Sequence, residues 1–74
     1  MSKNSSKILL KDIKVSTGFW QSKHGFNKLP KGNRAWEFII GKEIHFVTDT
    51  YKNSRLWAKY YAQANGIKTI WLME

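Results

Sequence analysis

Cysteine is absent from this 74-residue chain, which excludes disulfides and thiolate metal sites. A chain of this length buries only about 60% of the surface that it exposes when unfolded, so one core must hold it by packing alone. The lack of cysteine fits the reducing cytoplasm, and the sequence has neither an apolar run long enough to span a membrane nor a signal peptide. We therefore predict a cytoplasmic protein without a membrane partner, with a flexible polar tail at residues 1–7 and one domain at 8–74.

Acidic residues are scarce. The chain has 13 Lys and Arg against five Asp and Glu, which gives a net charge of +8. Residues 1–34 hold seven Lys and one Arg against Asp12 alone, a net charge of +7, whereas residues 35–74 hold five basic and four acidic residues, a net charge of +1. Solubility alone does not require this asymmetry. The one-sided positive charge instead favours a polyanionic partner such as nucleic acid.

Groups suited to catalysis are few. The two histidines, His24 and His45, do not fall in a zinc-binding spacing. Glu37, Glu43 and Asp49 match no metal-binding motif, and contact with water or lysine explains them more simply than Mg²⁺ does. A histidine in a half-buried strand is more often a packing residue than a general acid or base. We therefore predict no enzymatic activity, no catalytic residue, no metal site and no cofactor.

The first half of the chain shows little regular pattern. Residues 8–15, ILLKDIKV, predict a strand. Residues 16–33 are rich in Gly, Ser and Asn and hold the single proline, which predicts a long irregular loop with a short strand around Phe19 and Trp20. Loops of this length in small domains are usually functional or disordered, and the aromatic residues argue against disorder. The sequence therefore favours a functional role for this loop.

Residues 35–47, AWEFIIGKEIHFV, predict a β-hairpin with two possible registers. A two-residue turn at Gly41-Lys42 is favoured by its chemistry, because glycine suits the first central position of a type II′ turn. That register pairs Phe38 with His45 and mixes apolar and polar residues on both faces. The hydrophobic pattern favours a longer or bulged turn, and we favour this second register. It places five apolar residues on one face: Trp36, Phe38, Ile40, Ile44 and Phe46.

The remainder of the chain predicts a helix and a final strand. The helix, SRLWAKYYAQAN, is capped by Asn53 or Ser54 and ends before Gly66. Its apolar face is made of Leu56, Trp57, Tyr60, Tyr61 and Ala64.

The last strand, IKTIWLM, places Ile70 and Leu72 on one side. The predicted fold class is α+β, with the order β, long loop, β-hairpin, α, β. Three or four mostly antiparallel strands form the sheet, and one helix packs on one face. The other sheet face must then be shielded by the aromatic loop or by a partner.

The long loop and the strand before it carry the candidate nucleic-acid-binding residues. Cations interleaved with aromatic rings supply phosphate contacts, stacking surfaces and cation–π partners. The competing interpretation is that the rings plug the uncovered sheet face while the lysines stay in water. The candidate residues are Lys11, Lys14, Trp20, Lys23, His24, Phe26, Lys28, Lys31 and Arg34.

The stretch GFWQSKHGF, followed by NRAWEFIIGKEIHFVTDTYKNSRLWAKYYAQANG, resembles AP2-type and integrase-arm DNA-binding domains. The resemblance assigns Trp36 to the tryptophan of the middle strand, Gly41-Lys42 to the hairpin turn, and Gly66 to the end of an Ala- and Tyr-rich helix. It implies a three-stranded sheet whose free face lies in the DNA major groove. Here the hairpin is acidic where that family is basic, and the final strand IKTIWLM has no counterpart.

Two functions remain open on the sequence. The first is a small basic protein that binds nucleic acid, specifically double-stranded DNA, through the loop. The second is a small inhibitor encoded by a virus or mobile element, which would act in the host cytoplasm by docking on a nucleic-acid-handling enzyme. A homodimer formed through the uncovered face is a further possibility.

Overall fold

The computed structural model describes residues 8–73, which form four strands and two helices after one turn of 3-10 helix at Leu10–Asp12. The tail predicted at residues 1–7 and the final residue lie outside the described part. The elements in chain order are β1 (Lys14–Ser16), α1 (Gly18–His24), β2 (Asn33–Ile40), β3 (Glu43–Thr50), α2 (Tyr51–Ala64) and β4 (Thr69–Leu72).

The four strands form one sheet in the order β1-β4-β2-β3. β1 runs parallel to β4, while β4 and β3 are both antiparallel to β2. The predicted α+β class is confirmed, with α2 packed on one face of the sheet. No helix within residues 8–73 is long and apolar enough to cross a membrane.

The hairpin adopts the register that turn chemistry favours. Ile40 pairs with Glu43 across a two-residue turn, and Gly41 has a φ of 66° while Lys42 has no positive φ, as in a type II′ turn. The register that we favoured from the hydrophobic pattern is therefore wrong. As a result Ile44 and Phe46 lie on the sheet face opposite Trp36, because a one-residue slip reverses every side chain of a strand.

The core lies between the sheet and α2. The side chains of β2 and β4 that point toward α2 are fully buried. On the opposite side of the sheet, here called the free face, no helix of residues 8–73 is packed, and three of its large apolar side chains are exposed: Ile44, Phe46 and Trp71. The core side chains are Ile13, Trp20, Trp36, Phe38, Ile40, Ala58, Ala62, Ile70 and Leu72.

Helix α2 begins earlier than predicted. Thr50 is the cap, since its side-chain oxygen accepts the Asn53 N–H at 3.2 Å, so the predicted caps at Asn53 and Ser54 are wrong. The predicted end is confirmed. Gly66 takes φ 71°, and the Ile67 N–H reaches the Ala62 carbonyl at 2.8 Å, which is the Schellman arrangement.

The buried face of α2 consists of small residues, Ser54, Ala58 and Ala62, spaced four apart. Small side chains at this spacing let the helix lie close to the sheet. The predicted apolar face is therefore wrong at its centre, because Leu56 and Tyr60 are exposed. The pattern of large apolar residues marked a surface and not the core contact.

Two predictions about the first half of the chain are wrong. A helix, α1, stands where a loop with a short strand was expected, and Trp20 anchors it with its ring centroid 6.3 Å from that of Trp36. The strand expected at residues 8–15 is reduced to β1, because β4 offers only four residues to pair with it. Before β1, the Asp12 N–H bonds locally to Leu9, as in a 3-10 turn.

Candidate nucleic-acid interface

Residues 25–32 form a loop that is anchored at both ends. The Gln21 side-chain amide donates to the Lys28 carbonyl at 3.0 Å. At the other end, the Gly32 carbonyl accepts the Trp36 indole N–H at 3.2 Å and the Tyr51 N–H at 2.9 Å. The loop is therefore fixed against α1, β2 and the start of α2, so that its side chains stand on a defined framework.

Two adjacent grooves flank this loop, and Leu29 lines both of them. The first has a volume of about 570 Å³ and contains Lys28 and Lys31. The second has a volume of about 380 Å³ and contains Lys52 and Arg55 from the first turns of α2. The remaining lining residues are Trp20 and Asn27 in the first groove, and Val15, Thr17, Pro30 and Tyr51 in the second.

Among the described residues, no acidic side chain lines either groove. The carboxylate closest in the chain is that of Asp49, and it is already engaged, accepting the Thr50 N–H at 2.6 Å and the Asn53 side-chain amide at 3.2 Å. Within residues 8–73 the four groove cations make no ion pair with a carboxylate. The guanidinium carbon of Arg34 lies 5.1 Å from the centroid of the Trp36 ring. Arg34 and the four groove cations form what we call the cationic end: Lys28, Lys31, Arg34, Lys52 and Arg55.

Tyr51 adds no negative charge to the second groove. Burial raises the pKa of its phenol above the ordinary value, and the nearby Arg55 opposes this rise. The phenol therefore stays neutral near physiological pH. The groove holds only cations and neutral groups, which is the arrangement that favours an anionic ligand.

Two large apolar side chains stand in water among the cations. Phe26 is 73% exposed and Leu29 is 74% exposed, both on the loop. Lys23 lies over the ring of Phe19 at 5.2 Å, so a further cation and ring occupy the surface of α1.

The predicted site residues divide into three groups. The first group lies at the cationic end or on its loop and consists of Phe26, Lys28, Lys31 and Arg34. Lys23 lies on α1, the helix that directly precedes this loop in the chain. The prediction that Trp20 stacks on or wedges between bases is not compatible with its position, because it is buried in the core with 5% exposure. His24 is half-buried and stacks on Trp20, with 4.5 Å between ring centroids, so both rings build the support of the loop.

Lys11 and Lys14 are not brought to the cationic end. Lys11 lies in the 3-10 turn. The Lys14 N–H donates to the Lys68 carbonyl, which places Lys14 at the start of β4, beside the hairpin turn. This is the end of β2 opposite to the cationic end. The sequence prediction also missed Lys52 and Arg55. Assigning the helix N-cap to Thr50 would have revealed Lys52 and Arg55, because both residues then fall in the first turns of α2, beside the loop.

The free face differs from the DNA-contacting face that the family resemblance implies. On β2, β3 and β4 it carries one acidic residue, Glu37, and no Lys or Arg, and on β1 it carries Lys14, which pairs with Thr69. Three of its large apolar residues are exposed. The described strands therefore supply one lysine to this face, against five cations at the cationic end. The electrostatic case for nucleic acid therefore rests on the cationic end.

Within residues 8–73 no three His, Asp or Glu side chains come together in a group that could hold a metal ion. Comparisons with protein-family models, with curated proteins and with solved structures found no match to this chain.

Proposed function

We propose that this protein binds nucleic acid, specifically double-stranded DNA, through its cationic end. The observation that carries the proposal is the pair of adjacent grooves in which Lys28, Lys31, Lys52 and Arg55 have no carboxylate partner among residues 8–73. Double-stranded DNA presents one negative charge per about 1.7 Å of its axis, so neighbouring cations on a fixed loop can contact several phosphates together.

The exposed side chains of the loop have a role in the same complex. Leu29 lines both grooves, and Phe26 is exposed on the same loop. Exposed apolar side chains beside phosphate-binding cations can insert between base steps from the minor groove. Phosphate contacts fix the position of the protein, and the inserted groups favour easily unstacked steps. The complex is therefore expected to prefer flexible pyrimidine–purine steps over rigid A-tracts.

Binding to a fluorescently labelled 20-base-pair duplex, measured by anisotropy over a range of salt concentrations, tests this function. The logarithm of the association constant should fall linearly with the logarithm of salt concentration, with a slope of about −0.9 for each phosphate contacted. Four to five contacts predict a slope near −4. Absence of binding at 50 mM salt, or a slope near zero, would contradict the proposal.

A second candidate function is favoured by the free face. Ile44, Phe46 and Trp71 form an exposed apolar surface on a strand framework, which suits docking on a protein such as a nucleic-acid-handling enzyme of a host. A complex formed through these residues would bury apolar area and would depend weakly on salt. Replacing Trp71 by Glu would abolish that complex and leave duplex binding intact.

A further inference from the structure

The two edges of the sheet are protected to different degrees. β1 has only three residues and follows the 3-10 turn, whereas β3 has eight residues and pairs with β2 without a bulge. β3 also contains no proline and no lysine, two residues that commonly prevent edge strands from pairing. The hairpin begins with the hydrogen-bonded pair Ile40 and Glu43, so alternate residues of β3 direct their N–H and C=O groups away from the sheet. The residues concerned are Ile44, Phe46 and Thr48.

Helix α2 presents an apolar stripe above this same edge. Trp57 and Tyr60 are 41% and 54% exposed. Trp57 stacks on Tyr61, and the Tyr61 hydroxyl donates to the Glu43 carboxylate of β3 at 2.7 Å, which places this side of the helix over β3. The apolar stripe of α2 and the unpaired edge of β3 therefore form one surface, which offers a partner both side-chain and backbone contacts.

The opposite side of α2 faces the other edge of the sheet. The Gln63 side-chain amide donates to the Ile8 carbonyl at 2.6 Å, and Arg55 lines a groove with Val15 of β1. The apolar stripe and the basic side of the helix therefore point toward different edges. In the described part of the chain, the β3 edge alone combines free backbone groups with exposed apolar side chains.

The spacing of strands and helices identifies an occupant for the β3 edge. α2 lies over β2 and β3, and neighbouring strands are about 4.8 Å apart. If a second β3 paired with the first, the two α2 helices would lie two strand spacings apart, or about 10 Å. Packed helices are separated by about 8–10 Å, so a second copy of this chain would bring its apolar stripe into contact with the first.

We propose that this protein forms a twofold symmetric dimer in which β3 pairs antiparallel with β3 of a second copy and α2 packs against the second α2. The Thr50 N–H is already donated to Asp49, so the free backbone groups are those of residues 44, 46 and 48. They are all used when Phe46 lies opposite Phe46 of the other copy. Each Ile44 then lies opposite a Thr48, and the sheet becomes continuous with eight strands. The dimer does not depend on the proposed function, because the cationic end lies outside the contact.

A cysteine cross-link tests the strand register directly, because the chain has no cysteine of its own. Opposed residues of a hydrogen-bonded antiparallel pair have Cα atoms about 5.5 Å apart, which is within the range of a disulfide. Phe46→Cys should therefore form a covalent dimer under mild oxidation. Ile44→Cys is the matched control, since the two copies of residue 44 would be separated by about 13 Å, which is too far to bridge.

Light scattering coupled to size exclusion tests the helix contact at a chain concentration near 100 μM. The wild type should have the mass of a dimer, and the double variant Trp57→Glu/Tyr60→Glu should have the mass of a monomer with unchanged helical circular dichroism. Trp71→Glu, on the free face, should remain a dimer. A monomeric wild type would overturn the proposal, and so would a dimer that dissociates on Trp71→Glu but not on the helix changes. Cross-linking of Ile44→Cys in place of Phe46→Cys would contradict the strand pairing.

Discussion

The two sides of α2 differ in chemistry although they belong to one helix of 14 residues. On the β1 side, Lys52 and Arg55 open on a groove without acidic residues. On the β3 side, Trp57 and Tyr60 form an apolar surface above a free strand edge. Between the two sides, small buried residues fix the helix on the sheet.

This difference places two chemically distinct surfaces on one helix of a small domain. One helix cannot supply a broad apolar core face and also keep two surfaces for ligands unless its core contact is narrow. Here Ala58 and Ala62 make that contact narrow, so that larger residues are left for the outside. We infer that the basic side serves phosphates and that the apolar side serves a second copy.

The largest effect should follow from widening the narrow contact. Ala58→Leu inserts three heavy atoms where the side chain is fully buried, and overpacking of this kind costs about 1–3 kcal/mol. Both surfaces should weaken together because the helix is displaced from the sheet. Urea denaturation followed by circular dichroism measures the loss. Ala64→Leu, at an exposed position of the same helix, should change the free energy of unfolding by less than about 0.5 kcal/mol.

Charge reversal on one side only should separate the two surfaces. Lys52→Glu/Arg55→Glu should weaken duplex binding by about tenfold, or roughly 1.4 kcal/mol, because two phosphate contacts become repulsive. The mass in light scattering should stay unchanged. Trp57→Glu/Tyr60→Glu should show the reverse pattern, with a monomeric mass and nearly unchanged affinity per chain. If both double variants lose duplex binding equally, the two sides do not have separate roles.

A smaller effect should come from the exposed ring of the loop. Phe26→Ser should weaken duplex binding roughly threefold to tenfold, because an inserted side chain no longer stabilises an unstacked step. The slope of affinity against salt should be unchanged, since no phosphate contact is lost. The same anisotropy titration provides both values. A change in slope with unchanged affinity would contradict insertion of this ring.

Much of the fold followed from local pattern, and the errors have physical causes. β2, β3 and β4 were found because their residues alternate or form short apolar runs. Helix α1 was missed because seven residues beginning at Gly18 give too few turns for helical periodicity to show. The hairpin register was wrong because the requirement of the turn at Gly41 prevailed over the alignment of apolar residues.

The candidate site was predicted in part for a related reason. Lys28 and Lys31 were found from charge and aromatic content alone. Trp20 was assigned to the surface because sequence shows that a ring is near cations, but not which side of the chain it faces. Lys52 and Arg55 come next to the loop only through the tertiary fold, so charge density along the chain did not reveal them.

The smallest predicted effect concerns the link between α2 and β3. A hydrogen bond from Tyr61, and then one from His45, holds the pKa of Glu43 below its ordinary value of 4.5. A lowered pKa in the folded state contributes stability above the unfolded value, and this contribution is lost as pH falls through the folded pKa. The difference in melting temperature between wild type and Glu43→Gln should therefore be present at pH 7 and shrink below pH 4.5. An equal difference at pH 7 and pH 3 would contradict this account.

The salt dependence of two charge-matched variants tests the central claim most directly. Lys28→Gln/Lys31→Gln/Arg55→Gln removes three charges from the cationic end, and Lys11→Gln/Lys14→Gln/Lys68→Gln removes three charges from the opposite end. Both variants carry the same net charge, so general attraction to DNA is equal. The account predicts that the slope of log affinity against log salt becomes shallower by about 2.7 in the first variant and stays close to the wild-type value in the second. Equal changes in the two variants, or a larger change in the second, would contradict it.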